Sequence, residues 1–482
     1  MDPQKEFQSM IDSLHPVLKK AVESGENIFL SGAGGTGKSH AFRRMFLLAL
    51  QKYFTKPDPV QFCSSTGVSA VNLSFQIGPQ NNKIPYNART IHSIFGVLPS
   101  GVKNEQDFLD KISDSISSMN EQLIRDLHVL FIDEVSMISR LMLDMINIKC
   151  KLIRKNDKPF GGVQVIFSGD MCQLPPTITE SQTFYFKNDS FCFESNAWKE
   201  ADLQYYKLTK NHRTGNNLEW AQVLNKLRIG ENIKEELQEL YTTNIQKKIP
   251  SSTIRLYSAN AKVDMYNTKM LQQLTTKLHV FSTQDFEVER REDNTIFMKP
   301  IQYTPKGVEF RIGDETQELK AGARVMYLKN NLRDGLSNGS RGVITQILGN
   351  SGEESMSRYY TTKIIVKFDD DVGRRVIQYD CETVWFNERC FLRYSMPLKL
   401  CWAMSVHKSQ GMSLDTCVVG LDFAHEHSIP YTALSRCKDP STIYFDEKPN
   451  INGVFKGKKV WKPHPLCLVF EQKFNKNAVQ LE

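Results

Sequence analysis

The sequence predicts an α/β fold with an inserted all-β segment, and three observations carry that prediction. First, the apolar run Ile28-Phe29-Leu30 enters the glycine-rich stretch Gly32-Ala33-Gly34-Gly35-Thr36-Gly37-Lys38-Ser39, and an apolar-periodic helical segment, 41–50, leaves it. Second, another buried-strand pattern, Val129-Leu130-Phe131-Ile132, ends on Asp133-Glu134. Third, the texture changes at Ala323 to short alternating strands at 324–328, 341–347, 362–368 and 376–379, with Asn338-Gly339 as a turn signal.

The glycine-rich stretch fits G-x-x-x-x-G-K-[ST] at every fixed position and has the strand–loop–helix context of a phosphate loop. Glycines let the backbone of Gly32, Gly34, Gly35, Thr36 and Gly37 wrap a polyphosphate with its amides inward, and the helix N-terminus adds positive potential. Lys38 would reach the β- and γ-phosphates of ATP, and the Ser39 hydroxyl would ligate Mg²⁺. Asp133 would hold the same Mg²⁺ through water, and Glu134 would polarise the attacking water. A further strand, 163–167, runs into Ser168-Gly169-Asp170-Met171-Cys172-Gln173-Leu174-Pro175-Pro176. The Gln173 amide can bond a γ-phosphate and a neighbouring segment together, which suits a nucleotide sensor.

Composition bounds the rest. At 482 residues the chain calls for two to four domains. Its net charge of +7 has the sign of a nucleic-acid binder and equally suits an ordinary basic enzyme. Ten cysteines without a C-x-x-C pair indicate neither a zinc site nor a disulfide framework, so reduced thiols are expected. The first twenty residues show no signal-peptide core, and no apolar run reaches the ~18–20 residues of a membrane span. A soluble intracellular protein is expected, in cytoplasm or nucleus, cellular or viral, with no membrane partner.

Between these landmarks, 16–23 reads as a helix stopped by Gly25, and 61–63 as a strand ending in Ser64-Ser65-Thr66-Gly67, with a small-residue helix at 68–73. A loop at 78–87 leads to Arg89-Thr90-Ile91-His92-Ser93. Hydroxyls and imidazoles at strand ends suit phosphate-backbone contacts and also serve as helix N-caps. The polar stretch 96–126 reads as an insertion with one amphipathic helix. In the second half, 252–257 reads as a strand, 260–274 as a helix, and 281–318 as charged and irregular.

Taken together, the motifs resemble a known family. Gly169 to Pro176 is similar to the third motif of superfamily 1 helicases. Pro159-Phe160-Gly161-Gly162-Val163-Gln164 and Phe193-Glu194-Ser195-x-x-Trp198 resemble the petite-integration-frequency (PIF) helicases, relatives of RecD. Asn211-His212-Arg213 with Leu227-Arg228-Ile229-Gly230 resembles the family's fourth motif. Ala403-x-x-x-His407-Lys408-Ser409-Gln410-Gly411-Met412 resembles the fifth, and Tyr431-Thr432-Ala433-Leu434-Ser435-Arg436 the sixth.

The resemblance spans 24–439 in the family's order and implies a minimal motor core. It implies two RecA-like domains with ATP between them, at 1–200 and at 201–300 plus 391–450. An SH3-like β module at 301–390 and a basic C-terminal extension at 451–482 complete the division. It further implies an ATP hydrolase that moves 5′→3′ on single-stranded DNA and unwinds forked or 5′-tailed duplexes in replication, repair or recombination. Such a motor works as a monomer, with replication or repair proteins as further partners. On this basis Gln173 is the γ-phosphate sensor, and Arg213 and Arg436 are arginine fingers. Gln410 and Gly411 join the nucleotide site. Thr66, Gly67, Thr90 and His92 contact DNA from the first domain, and His407, Lys408 and Ser409 from the second. A wedge is implied at 96–121, with Phe95, Leu98 and Phe108 as apolar candidates.

The chain departs from the family in three places. His15 stands where the adenine-reading glutamine is expected, with Gln8 the nearby glutamine; Thr214 follows Arg213; and Ser428-Ile429-Pro430-Tyr431 precedes the sixth motif. The tail from Ile451 interleaves lysines with Phe455, Trp461 and Phe470, which fits both a single-strand contact and a packed extension. Asp369-Asp370-Asp371 and His425-x-His427 read as surface turns. Two other activities suit the same letters: a translocase that strips proteins from single strands, and a nucleotide-dependent binding module. An RNA substrate is compatible as well.

Overall fold

The computed structural model describes the chain apart from residues 1, 57, 66–68, 71–72, 79–83, 97–117, 177–190, 216, 246, 291–294, 306–309, 311–315, 330, 332–334, 337, 350–360, 370–371, 387–388, 421–426, 447–453, 456–457 and 460–461. Thr66, Gly67, Leu98, Phe108, most of 96–121, Asp370, Asp371, His425 and Trp461 therefore lie outside the described residues. Contacts divide the chain into two units, Met1–Ser258 with Ser405–Glu482, and Ala259–Met404.

The first unit is built on a seven-stranded sheet, parallel throughout. Its spatial order is Val479–Leu481, Gln204–Leu208, Ile28–Gly32, Gln164–Gly169, Val129–Asp133, Val60–Ser64 and Arg89–Thr90. The four strands from Ile28–Gly32 to Val60–Ser64 are buried at every position, because both faces are covered. Side chains alternate between two cores. Phe29 and Phe167 face one that includes Trp198 and Phe474, while Leu30 and Phe131 face the other, with Phe42 and Phe46 of the Lys38–Lys52 helix. The motif turns Gly32, Asp133 and Gly169 all lie at the C-terminal ends of adjacent strands, where parallel sheets bind ligands. A second parallel set, Ile254–Tyr257, Cys417–Val419 and Ile443–Phe445, lies in the same unit.

The second unit carries a five-stranded antiparallel sheet in the order Arg374–Ile377, Lys363–Phe368, Arg341–Leu348, Arg324–Tyr327 and Leu398–Leu400. Four of these strands are those expected from alternation. The expectation of irregular structure over 281–318 is corrected: Leu278–Ser282, Gln284–Arg290, Ile296–Ile301 and Thr316–Lys320 are strands. Two of them, Gln284–Arg290 and Thr316–Lys320, carry few apolar residues. Across Gln284–Arg290 and Arg389–Ser395, charge pairs join the apolar pair of Phe286 with Leu392: Arg393 bonds Asp285 twice at 2.7 Å, and Arg389 bonds Glu287 at 2.5 Å.

The end of the tail, 464–481, is packed against the first unit. His464 caps the Pro465–Asn477 helix, whose Phe470 and Phe474 rings lie 6.0 and 5.4 Å from Phe29. Val479–Leu481 then extends the first sheet beside Gln204–Leu208. No helix among the described residues is long and apolar enough to cross a membrane.

This packing is testable. Phe474→Ala should lower the unfolding free energy by roughly 3–5 kcal/mol, as truncation of a buried aromatic does, measured by urea denaturation. A loss below about 0.5 kcal/mol, typical of a surface change, would contradict it.

Candidate nucleotide site

The loop leaving Ile28–Gly32 is shaped by lack of room. A Cβ on Gly32 would stand 2.4 Å from Thr36 Oγ1 and 2.9 Å from the Leu208 carbonyl. Gly35 needs glycine twice over, since its φ is +89° and a Cβ would come within 2.4 Å of Arg213 Cβ. Thr36 Oγ1 donates to the Ala33 carbonyl, closing the turn. Lys38 opens the following helix and folds back, its Nζ donating to the carbonyls of Gly32 at 2.6 Å and Ala33 at 3.0 Å. Burial lowers the Lys38 pKa, while Asp170, Glu134 and Asp133 oppose that shift.

The acidic pair sits beside it. Ser39 Oγ lies 3.4 Å from Asp133 Oδ2. Burial, reinforced by Glu134, pushes the Asp133 carboxyl up to about 6. Glu134 itself adopts a left-handed φ of 52°, a local strain that turns its side chain out of the strand direction. Gln410 Nε2 holds its Oε2 at 3.0 Å.

Cations arrive from later in the sequence. The backbone amides of His212 and Arg213 donate to the Gly35 carbonyl, and Asn211 Nδ2 donates to that of Gly34. Arg213 Nη1 donates to the Ser435 carbonyl at 2.6 Å. Burial, and next the neighbouring Arg436, push Arg213 down to about 10, so it stays charged at neutral pH. Arg436 is almost fully buried, with Nε on the Thr432 carbonyl at 2.8 Å and Nη2 on Ser435 Oγ at 2.9 Å. Gly34, Lys38, Ser39, Asp133, Glu134, Gln173, Arg213, Gly411 and Arg436 line one cleft of about 350 Å³.

Asp170, Arg228 and Tyr431 stand inside the motifs without an expected role, and Glu471 lies beyond every motif and carries no sequence signal. These four form a buried knot. Asp170 Oδ1 accepts from Arg228 Nε at 2.9 Å, and Oδ2 accepts from the Tyr431 hydroxyl at 2.9 Å and from Gln173 Nε2 at 3.3 Å. Arg228 Nη1 pairs with Glu471 Oε1 at 2.9 Å, and Lys207 pairs with the same carboxylate at 3.1 Å. Burial alone would raise the Asp170 and Glu471 carboxyls, but Arg228 above all holds both below their ordinary values. Among the described residues, Gln173 Oε1 has no hydrogen-bond partner, leaving a buried acceptor in the cleft wall.

The remaining site expectations divide by geometry. Thr90 caps the short helix Ile91–Phe95, which contains His92, by accepting from the Ser93 amide. His407 and Lys408 lie on a 3-10 turn, half-buried and exposed, whereas Ser409 is buried with its hydroxyl on the Val406 carbonyl. His15 caps the Pro16–Ser24 helix through Val17 N–H, and Gln8 bonds Asp12 and Gln51. Two of the family-like stretches are structural. Phe160, Gly161 and Gly162 form a left-handed turn held by Asn147, and Ser195 caps the helix carrying buried Trp198. No group of three metal-ligating side chains occurs among the described residues.

Lys38, Arg213 and Arg436 bring three mutually repelling cations into one cleft beside the glycine loop and the start of the following helix. A polyphosphate would answer that repulsion, and the fold is that of a P-loop nucleoside triphosphatase with RecA-like topology. Sequence comparison narrows the class. The PIF1-like helicase model matches residues 4–237, and the model of the DNA helicase Pif1 2B domain matches 315–347. The chain belongs to the PIF1-like helicase family. It is 28% identical to the ATP-dependent DNA helicase Pif1 of Psychrobacter over 86% of this chain and 65% of that one. With the Campylobacter jejuni protein of the same name it shares 26% identity over 97% of this chain and 98% of that one. The crystal structure of Candida albicans Pif1 helicase is similar at a TM-score of 0.76 and 27% identity, covering 95% of this chain and 98% of that chain. The chain spans less than two thirds of the length of the Psychrobacter protein and of its Emericella, Xenopus and human counterparts.

The buried knot carries a pH signature. Glu471→Gln should destabilise the chain by roughly 3–5 kcal/mol at neutral pH, because Arg228 loses a charged partner. Both carboxyls are depressed in the folded state, so their contribution is present above the unfolded value of about 4 and is lost as pH falls through the folded values. Urea unfolding should therefore show a constant difference between wild type and variant near neutrality that shrinks below about pH 4.

Proposed function

We propose that the chain is an ATP- and Mg²⁺-dependent DNA helicase that translocates 5′→3′ on single-stranded DNA and unwinds forked or 5′-tailed duplexes. The observation that carries this reading is the placement of Arg213 and Arg436, from the fourth and sixth motifs, against a phosphate loop encoded some 180 residues and more before them. Arginines that complete a phosphate site from a second motor segment make hydrolysis depend on that segment's position. The relatives' shared name, ATP-dependent DNA helicase, agrees with it.

In this reading Lys38 and the loop amides hold the β- and γ-phosphates. Glu134, oriented by Gln410, takes the proton of the attacking water, and the free Gln173 Oε1 accepts from that water or from one nearby. Arg213 and Arg436 stabilise charge on the transferring phosphoryl group. The Ser39 hydroxyl and Asp133 carboxylate would hold Mg²⁺, since two protein oxygens with the remaining positions left to water and phosphate suit that ion. Bound there, Mg²⁺ would neutralise developing phosphate charge. With His15 and Gln8 engaged in the protein's own hydrogen bonds, choice of adenine rests on other contacts. Thr66, Gly67, Thr90, His92, His407, Lys408 and the Ser409 backbone are the proposed DNA track. The proposed division is a first RecA-like domain at 1–200, a second at 201–300 plus 391–450, and an inserted module at 301–390.

The test measures ATPase and strand separation on 5′- and 3′-tailed duplexes. Single-stranded DNA should stimulate ATPase, the 5′ tail should support unwinding, and Lys38→Ala should lower ATPase by roughly 10²–10³-fold. Preference for a 3′ tail would overturn the polarity. Absence of strand stimulation would favour the binding-module reading, and protein displacement without unwinding the translocase reading.

A further inference from the structure

Gly34 is tied to a hydroxyl. Its N–H donates to Tyr431 Oη at 2.8 Å, and that hydroxyl in turn donates to Asp170 Oδ2 at 2.9 Å. Tyr431 and Asp170 are both buried, so neither bond is exchanged for water at little cost. The Asp170 carboxylate is itself fixed from the far side by Arg228, and Arg228 by Glu471 of the C-terminal helix. Gln173, the γ-phosphate sensor of the proposed reaction, shares the oxygen that Tyr431 uses. A continuous chain of hydrogen bonds and ion pairs thus runs from the C-terminal helix to the second glycine of the phosphate loop.

We propose that Tyr431 is a positioning residue for the nucleotide, which fixes the Gly34 peptide through Asp170, and that Arg228 and Glu471 extend this control to the C-terminal helix. Fixing that peptide plane keeps the amides that follow it turned toward the phosphates. The loop is then paid for in advance of binding rather than during it. Gly35 and Gly37, at φ of +89° and +84°, leave the loop little stiffness of its own, so an external anchor at Gly34 has an effect that a stiffer turn would mask. Asp170 serves as a common anchor because four donors reach it: Arg228, Tyr431, Gln173 and the Cys172 amide. The inference rests on the ATPase reading of the site and adds to it a residue that touches the loop rather than the phosphates.

The experiment is a double-mutant cycle on the full chain with Tyr431→Phe, Glu471→Gln and the pair. It reads KM for ATP, kcat and single-strand affinity at a temperature where melting curves show each variant folded. Tyr431→Phe removes one oxygen and should raise KM for ATP roughly tenfold, the loss of one buried hydrogen bond, with single-strand affinity unchanged. Glu471→Gln should raise KM in the same direction, and the pair should be no worse than Tyr431→Phe alone, because both act through Asp170. An unchanged KM in Tyr431→Phe overturns the proposal, as does full additivity of the two substitutions. If Glu471→Gln does not fold, Tyr431→Phe alone decides. Failure of the underlying reading is distinguishable: in that case the wild type itself lacks strand-stimulated ATPase.

Discussion

The buried contact between Asp170 and Arg228 is the constraint on which the rest of the site depends. Asp170 stands one position past the Gln164–Gly169 strand, fully buried at the carboxyl ends of the sheet, where open parallel sheets bind ligands. An unpaired carboxylate there would cost several kcal/mol. Its four donors come from three places in the sequence, 172–173, 228 and 431, so the folded position of each is set by the need to satisfy one charge. The knot therefore fixes the sensor amide, the motif tyrosine and the C-terminal helix relative to the central strands in a single arrangement.

The same low-dielectric setting explains the poise of the cleft. Lys38, Arg213 and Arg436 all have their charged forms disfavoured by burial, and Arg436 further disfavours the charge on Arg213. Asp133 is pushed the opposite way by burial and by Glu134. Under the proposed function, such a crowding of cations and carboxylates would favour a magnesium triphosphate and would relax differently once that ligand is hydrolysed.

Much of this was legible in the sequence where local chemistry is strict. The phosphate loop was readable because G-x-x-x-x-G-K-[ST] is a steric requirement, as the 2.4 Å approaches at Gly32 and Gly35 make plain. Buried parallel strands announced themselves as continuous apolar runs. What escaped was whatever depends on distant pairing. The Gln284–Arg290 strand offers only Phe286 and Val288 between its acids, and one of its two partner strands lies about a hundred residues away. Glu471 looks like one acid in a basic tail until the fold carries it to Arg228. Thr90 and Ser409 also make bonds that their motif letters do not announce: the first caps a helix, and the second places its hydroxyl on the Val406 carbonyl.

The central claim is that Arg213 and Arg436, encoded far beyond the phosphate loop, complete a hydrolytic site with it. Arg213 tests it best, since its side chain makes one hydrogen bond to the protein, on the Ser435 carbonyl, and lines the cleft beside Gly34 and Gly35. The direct measurement is single-turnover ATP hydrolysis by Arg213→Ala beside equilibrium binding of a non-hydrolysable ATP analogue. The account predicts a hydrolysis rate lower by roughly 10³-fold, with analogue affinity weakened less than about tenfold. A rate within about threefold of wild type, at saturating nucleotide, would contradict it.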